Sequence, residues 1–361
     1  MSRDDRGRQR SLISWLAGLA VVSALVWLLF PYFETSICVV DLDPALGINL
    51  PKPGQSLHWR REGWGTTNWG LHGVAGGVPD VTRLEGLKVL LWGDSMVQAL
   101  QVDDQWKTAQ QITRIWQDRH DPGLTGVSVG GSGRSAADYH FLLPRYEEVV
   151  EGLSAHFIIV AALSDFSPEG EFFLAPPAFR FTGLHREPIT SSKVRLAARW
   201  RLNFLIRRYF EVKEAFSTRG LRFGLGRAEA GRPDPEPAAK DEAPPIAAWS
   251  FALKALKDRA ERPLVIVYAP GLPTLKGGRL VRGEEVRPLV DLFAAQCRQA
   301  DLGFLDLAPV FVRSFEETGL FPCGFNNGRP GAGHFNAHGQ RLIAEAICDY
   351  IETHFNALHS G

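Results

Sequence analysis

The sequence predicts an α/β fold built on a parallel sheet, and three observations support this. Short apolar runs alternate with amphipathic stretches from Leu87 onward. The runs have the length of buried strands, and the stretches between them have helical spacing. With 361 residues and 45% hydrophobic content, the chain can bury a sizeable core. Strands that alternate with helices form a sheet covered on both faces, with any site at the carboxyl ends of the strands.

Residues 11–33 predict a transmembrane anchor. From Ser11 to Phe30 the chain carries no charge, over roughly the 20 residues that a helix needs to cross the hydrocarbon core. Residues 1–10 contain four Arg and two Asp, so the positive-inside bias keeps this tail in the cytoplasm and the rest of the chain outside it. We therefore expect a single-pass protein of the inner membrane with a periplasmic domain. A cleaved signal peptide and a buried core helix are the alternatives.

The composition argues against several classes of partner and site. Forty Lys and Arg balance forty Asp and Glu, for a formal net charge of +0, so we expect no nucleic-acid partner. The four cysteines form no C-x-x-C pair, which argues against zinc, iron–sulfur and thioredoxin-type sites. In an extracytoplasmic domain, one disulfide is expected among Cys297, Cys323 and Cys348.

The remaining chain divides into two parts. Residues 34–86 are rich in Gly, Pro and Trp without a sustained helical period, and they predict an irregular segment with short strands that packs on the main domain, residues 87–361. The strand candidates of that domain are residues 88–92, 126–129, 156–163, 263–270 and 303–307. Helical spacing directly follows the first strand and recurs at residues 138–151, 248–261, 285–300 and 339–354.

A long insertion at about residues 165–247 separates the third strand from the fourth. It begins with an aromatic part, continues with a basic amphipathic stretch, and ends in a Pro-, Ala- and Glu-rich tail of a composition typical of disorder. The basic stretch either packs its apolar side on the domain or lies on an anionic membrane surface.

A serine follows the first strand at a strand-to-helix turn. In the run Gly93-Asp94-Ser95, the hydroxyl of Ser95 is expected at the carboxyl edge of the sheet, with its N–H near a helix N-terminus that suits an oxyanion. This is the place of a nucleophile, although Gly-Asp-Ser is also ordinary turn and N-cap composition.

A histidine near the end of the chain is the matching base. In the run from Gly331 to Gln340, Asn336 is a good N-cap, which leaves His334 on the loop before the last helix. A neutral histidine there can take the proton of Ser95 and return it. His338 forms an H-x-x-x-H pair with His334, but no third metal ligand is apparent, so we expect an exposed residue in the first turn of the helix and no metal.

Together these motifs resemble the SGNH/GDSL hydrolase superfamily of esterases, lipases and carbohydrate O-acyl-transfer enzymes. The resemblance implies a three-layer, flavodoxin-like domain in which Ser95 and His334 are catalytic and no cofactor is needed. The run VSVGGSGRS resembles the block whose glycine lends an N–H to the oxyanion hole, which falls on Gly133, with Gly130 or Gly131 as an offset. The run VAALSDF puts Ser164 at the position of the Asn donor, so the hole implied is formed by Ser95, Gly133 and Ser164.

The last block departs from the family pattern because Gly331 stands where Asp-x-x-His has its acid. Three alternatives follow. Another group orients His334, with a backbone carbonyl, Asp165, Asn326 and Asn327 as candidates; or the pair acts as a dyad; or the chain is an inactive relative.

Similarity in the segment HWRREGWGTTNWGLHG and in GFNNGRPGAGHFN is greatest to membrane-anchored or periplasmic members tied to bacterial surface polysaccharides. It implies an ester hydrolase or O-acetyltransferase acting on carbohydrate, working with envelope polysaccharide machinery. One alternative is a lipid esterase, in which the aromatic residues of the insertion (Phe172, Phe173, Phe179 and Phe181) cover an acyl channel. The other is a non-catalytic polysaccharide-binding or assembly protein.

Overall fold

The structure is a computed structural model, and it describes residues 13–25, 28, 38–60, 62–120, 123–166 and 245–355. Most of the predicted insertion lies outside these residues, as do the predicted cytoplasmic tail and part of the predicted anchor. Residues 13–25 form helix α1, which belongs to one unit of the chain, and the described residues from 38 onward belong to a second. Among the described residues, no helix combines the length and the hydropathy that crossing a bilayer requires.

A parallel five-stranded sheet forms the centre of the second unit, as the sequence predicts. Its order is β6-β5-β7-β8-β11, which is the strand order of flavodoxin-like folds. The five strands are β5 (Leu87–Trp92), β6 (Leu124–Ser128), β7 (Leu153–Val160), β8 (Leu264–Tyr268) and β11 (Gly303–Asp306). All four pairings within the sheet are parallel, so the carboxyl ends of the strands share one edge.

Helices cover both faces of this sheet. They are α2 (Ser95–Gln98), α3 (Thr108–Arg119), α4 (Ala136–Val149), α5 (Ile246–Arg259), α6 (Arg287–Gln299), α7 (Ala308–Thr318) and α8 (Ala337–His354). Along β5, Leu90 and Trp92 pack with α4, α5 and α6, whereas Val89 and Leu91 pack with α3, α7 and α8. Because neighbouring side chains of a strand point to opposite faces, the apolar run of this strand, residues 89–92, belongs to both halves of the core.

Helix α7 is an element that the sequence analysis did not anticipate. It starts two residues after β11 ends and has Pro309 in its first turn, where proline's missing N–H costs no hydrogen bond. Only Leu307 separates this helix from β11, and Pro309 is the sequence signal that marks its start.

The segment before the sheet contains two small antiparallel hairpins. Strands β1 (Val40–Asp43) and β2 (Ile48–Pro51) form the first, and β3 (Ser56–His58) and β4 (Thr66–Asn68) form the second. A third hairpin, β9 (Thr274–Lys276) with β10 (Arg279–Val281), follows β8. Ala75 forms a bridge to Ser128 at the end of β6, so the segment is attached directly to the main sheet.

The expected disulfide is absent, because all four cysteines are free thiols. Cys297 is buried in the core on one face of the sheet, and Cys323 and Cys348 are buried in the core on the other. Burial raises the pKa of each of these three thiols to about 12, so they remain protonated. The prediction was wrong: the sheet separates Cys297 from the other two, and Cys323 and Cys348, which share one core, are also free thiols.

Candidate active site

Ser95 is placed by the junction of β5 and α2. The buried strand ends at Trp92, and Ser95 is the first residue of the short helix that follows. The Asp94 carboxylate caps this helix by accepting the N–H of Met96 at 2.8 Å. The turn therefore holds a half-buried Ser95 at the carboxyl edge of the central strand.

His334 is placed by a loop that is closed on both sides. Asn336 caps α8 by accepting the N–H groups of His338 and Gly339, as the sequence predicts. Its side-chain amide also donates to the carbonyls of Phe321 and Gly324. Since Gly324 N–H in turn donates to the carbonyl of His334, the loop cannot move without breaking several hydrogen bonds.

The fold brings Ser95 and His334, 239 residues apart in the chain, into contact. The Nε2 atom of His334 lies 3.0 Å from Ser95 Oγ. This is a hydrogen-bond distance, and it is the distance at which an imidazole can accept the serine proton.

Glu62 completes the arrangement from the other side of the imidazole ring. Its Oε2 atom lies 2.6 Å from His334 Nδ1, and its Oε1 atom accepts the backbone N–H of His334 at 2.9 Å. Because a carboxylate can only accept, Nδ1 carries the ring proton and Nε2 presents its lone pair to Ser95. The acid that Gly331 cannot supply comes from a residue 272 positions earlier in the chain.

None of the candidates named from the sequence orients the imidazole. Asp165 follows β7, where burial and the charge of Asp94 raise its pKa to about 6. Asn326 is exposed. Asn327 acts one step away, since its side-chain amide accepts the N–H and donates to the carbonyl of Gly63, the residue after Glu62.

Glu62 lies in the turn of the β3–β4 hairpin, and the backbone beside it is tightly held. Gly63 has φ +71°, and a Cβ there would come 2.4 Å from the carbonyl oxygen of Gln101. The close contact between this turn and Gln101 therefore requires glycine at position 63. Trp64 N–H donates to that same carbonyl at 3.1 Å. The turn is thus held between the residues that follow α2 and the loop that carries Asn327.

Gly333 provides the space that the Glu62 carboxylate occupies. It has φ +86°, and a Cβ built on it would lie 1.9 Å from Glu62 Oε1. The glycine directly before His334 therefore lets the carboxylate reach both the backbone and the ring of that histidine. The run Gly331-Ala332-Gly333-His334 shows a glycine directly before the histidine, but nothing in the sequence indicates which residue fills the space that this glycine leaves.

The residues named for an oxyanion hole all follow neighbouring strands of the sheet. Ser95 follows β5, Gly133 follows β6 with φ +75°, and Ser164 lies exposed in the 3-10 turn Leu163–Phe166 after β7. Gly131 N–H is committed to the carbonyl of Gly93 at 3.0 Å. The N–H groups of Ser95 and Gly133 donate to no residue that the structure describes.

His338 lies in the first turn of α8, as predicted, but it is half-buried. Its Nε2 atom lies 2.9 Å from Ser314 Oγ, and burial together with the charge of Arg341 lowers its pKa. Within the described ranges, no three His, Cys, Asp or Glu side chains are grouped as a metal ion would require.

No family model and no curated protein matches the chain. Among solved structures, it is similar to a lipase/acylhydrolase from Enterococcus faecalis, with 14% identity over 74% of this chain and 95% of that chain and a TM-score of 0.37. An acetyl xylan esterase from Geobacillus stearothermophilus has 15% identity, coverages of 75% and 96%, and a TM-score of 0.36. A psychrotrophic esterase from Pseudoalteromonas sp. has 12% identity, coverages of 74% and 98%, and a TM-score of 0.37. These likenesses are distant, and the chemistry of the site follows from its own geometry.

Proposed function

We propose that this protein is a serine ester hydrolase or acyltransferase of the SGNH type that works through Ser95, His334 and Glu62. The observation that carries the proposal is the unbroken hydrogen-bonded series from Glu62 Oε2 through His334 to Ser95 Oγ, at 2.6 and 3.0 Å. A nucleophile, a base and a carboxylate that orients the base form the arrangement that acyl transfer to serine requires.

In the first half of the reaction, Ser95 Oγ attacks the ester carbonyl carbon while its proton passes to His334 Nε2. The imidazolium is stabilised by Glu62, and the oxyanion accepts hydrogen bonds from the N–H groups of Ser95 and Gly133 and from the Ser164 hydroxyl. Collapse of the tetrahedral intermediate breaks the bond to the alcohol, which leaves with the proton from Nε2. The acyl group then remains bound to Ser95.

The second half repeats these steps with a new nucleophile. Water or a sugar hydroxyl gives its proton to Nε2 and attacks the acyl carbon, and Ser95 Oγ leaves and recovers the proton. Hydrolysis and transfer use the same residues, so the two differ in which acceptor reaches the acyl group. None of these steps requires a metal or an organic cofactor.

The proposed substrate is an O-acylated carbohydrate, with acetyl as the acyl group. Support comes from the resemblance of the segments HWRREGWGTTNWGLHG and GFNNGRPGAGHFN to enzymes of surface polysaccharides. The aromatic residues on which the lipid-esterase alternative rests lie outside the described residues. The non-catalytic alternative rested on the missing acid, and Glu62 now supplies that group.

The direct test is labelling with a fluorophosphonate probe, which reacts with an activated serine. We expect labelling at Ser95 in the wild type and none in Ser95→Ala. Acetylated oligosaccharides should then react at a higher rate than long-chain esters, either by hydrolysis or by transfer of acetyl to a sugar acceptor. An unlabelled, folded wild-type protein would overturn the enzymatic proposal, and preference for long-chain esters would replace carbohydrate with lipid as substrate.

We further propose that residues 11–33 anchor the chain in the inner membrane with the catalytic domain outside the cytoplasm. The support is the charge-free stretch and the arginine-rich residues before it. A phosphatase fused after Gly361 should be active only outside the cytoplasm. Phosphatase activity of the fusion in the cytoplasm would overturn this placement.

A further inference from the structure

A fully buried lysine holds the carboxyl end of helix α2. Lys107 lies directly before α3 and is 0% exposed. Its ammonium group donates to the carbonyls of Gln98, at 3.2 Å, and of Ala99, and to Thr67 Oγ1 at 2.9 Å. All three of its N–H donors are therefore used, and two of them go to carbonyls at the end of the short helix carrying Ser95, where the helix itself offers no N–H donor.

A buried glutamine holds the carbonyl next to Ser95. Gln340, which is 1% exposed, donates from Nε2 to the carbonyl of Met96 at 3.0 Å. Its Oε1 atom accepts both the backbone N–H and the hydroxyl of Thr108, the residue after Lys107. Gln340 and Lys107 together bind the carbonyls of Met96, Gln98 and Ala99, and so hold the backbone of α2 and of the residue that follows it.

These contacts also connect α2 to the elements that carry its two partners. Thr67 lies on β4, in the hairpin whose turn holds Glu62. Gln340 lies on α8, which begins three residues after His334. Lys107 and Thr108, which are neighbours in the chain, join the two connections. A shift of α2 relative to either partner would leave buried polar groups without hydrogen bonds, which is costly.

We propose that Lys107 and Gln340 are positioning residues that hold Ser95 in register with His334 and Glu62. The inference rests on the proposed function. Neither side chain contacts the three reacting groups, so both act through the backbone of α2. Displacing a reacting group by about 1 Å can lower a rate by ~10²-fold, and the two residues hold the short helix that continues the chain directly from the nucleophile.

Titration of Lys107 gives the proposal a distinctive signature. Burial lowers the pKa of this ammonium group to about 8, against the opposing charges of Asp104 and Asp103. Above that pH a neutral amine has two N–H donors for three acceptors. The rate of acylation in the wild type should therefore fall as the pH rises through about 8.

The test compares two buried lysines, and Lys88 is the matched control. Lys88 is 4% exposed and donates to the carbonyls of Gly86 and Glu151, at the amino end of β5 and so away from Ser95. We expect Lys107→Met to lower the second-order rate of fluorophosphonate labelling at Ser95 by ~10²-fold per folded molecule. Lys88→Met, which removes a similar set of bonds, should keep the wild-type rate per folded molecule.

A second variant keeps the inference testable where Lys107→Met does not fold. In Gln340→Glu the side chain keeps its shape and its bonds from Thr108, but it turns an oxygen toward the carbonyl of Met96. Labelling should slow in this variant as well, whereas the fall above pH 8 should persist in it and be absent from Lys107→Met. Wild-type labelling rates in folded Gln340→Glu, or equal rates in the two lysine variants, would overturn the inference alone. An unlabelled wild type would overturn the proposed function together with it.

Discussion

Among the described residues, two histidine–glutamate pairs share the same short contact and differ in their surroundings. His334 Nδ1 lies 2.6 Å from Glu62, and His156 Nε2 lies 2.6 Å from Glu147. In the first pair the side chains are 27% and 26% exposed, and in the second they are 0% and 6% exposed. The first pair is at the carboxyl edge of the sheet. The second pair is buried in the core, where the ring of His156 contacts the side chain of Trp92 on β5.

The difference lies in what the second ring nitrogen meets. Trp92 Nε1–H donates to His156 Nδ1 at 3.0 Å, so both nitrogens of that ring are already committed and the ring cannot accept a proton from a substrate or a serine. The second nitrogen of His334 faces the hydroxyl of Ser95 instead. A carboxylate that orients an imidazole is thus insufficient for catalysis, because the free nitrogen must also face a nucleophile and the pair must be accessible to substrate.

The largest expected effect is on the pair Ser95 and His334, which has no counterpart at His156. Ser95→Ala and His334→Ala should each lower kcat by on the order of 10⁶-fold, and the double variant should lose little more, because a nucleophile and its base act as one unit. Steady-state hydrolysis of an acetyl ester measures this. Losses that multiply in the double variant would show that His334 is not the base of Ser95.

The next effect separates the two glutamates. Glu62→Gln should lower kcat by ~10⁴-fold, because an amide no longer stabilises the imidazolium or holds the tautomer with its proton on Nδ1. Glu147→Gln should leave kcat per folded molecule unchanged and lower the free energy of unfolding by about 1–3 kcal/mol. Equal kcat values for Glu62→Gln and wild type would show that Ser95 and His334 act as a dyad.

A smaller effect tests the space around the Glu62 carboxylate. Gly333→Ala should lower kcat by ~10²-fold, since its Cβ would displace the carboxylate from His334. Gly331→Asp, which introduces a carboxylate three residues before His334, should not raise kcat. Gly331 has φ +75°, a Cβ there would lie 2.8 Å from the Phe321 ring, and Glu62 already fills the role. A rate increase in Gly331→Asp would mean that Glu62 orients His334 poorly.

The smallest effect concerns the core pair and is seen in stability alone. Burial lowers the pKa of His156 from 6.5. Burial would raise the pKa of Glu147, but hydrogen bonds from His156 and from nearby backbone N–H groups outweigh it, so this pKa is lowered as well. Both pKa values are lowered on folding, so the contribution of each group is present above its own unfolded pKa and is lost as the pH falls. For His156 the loss begins below pH 6.5, and for Glu147 it begins only below pH 4.5.

His156→Gln keeps a donor toward Glu147 but does not titrate. Urea unfolding should show a shallower decline in stability between pH 7 and pH 5 in this variant than in the wild type, with unchanged kcat per folded molecule. Parallel declines in the two proteins would place the acid sensitivity elsewhere, for example at His58 or His338, whose pKa values burial also lowers.

The central strands and the two ends of the proton path could be predicted because their signals are local. Strand β5 contains an apolar run, residues 89–92, that stops at a glycine, and Asn336 is an N-cap that leaves His334 on the preceding loop. Glu62 had no such signal. It lies in a segment without periodicity, among charged and aromatic residues, and nothing in the sequence distinguishes it from these neighbours. The proposed anchor and oxyanion hole stay predictions.

The sequence by itself determined where Ser95 and His334 enter the fold. Apolar periodicity and turn residues act over a few positions, so they specify the strand before Ser95 and the helix after His334. The tertiary structure alone decided which carboxylate serves the imidazole, because Glu62 reaches His334 only when the β3–β4 hairpin packs against a loop 272 residues later in the chain. It also decided that His156 is structural, since the partner that occupies its second nitrogen comes from the neighbouring strand of the sheet.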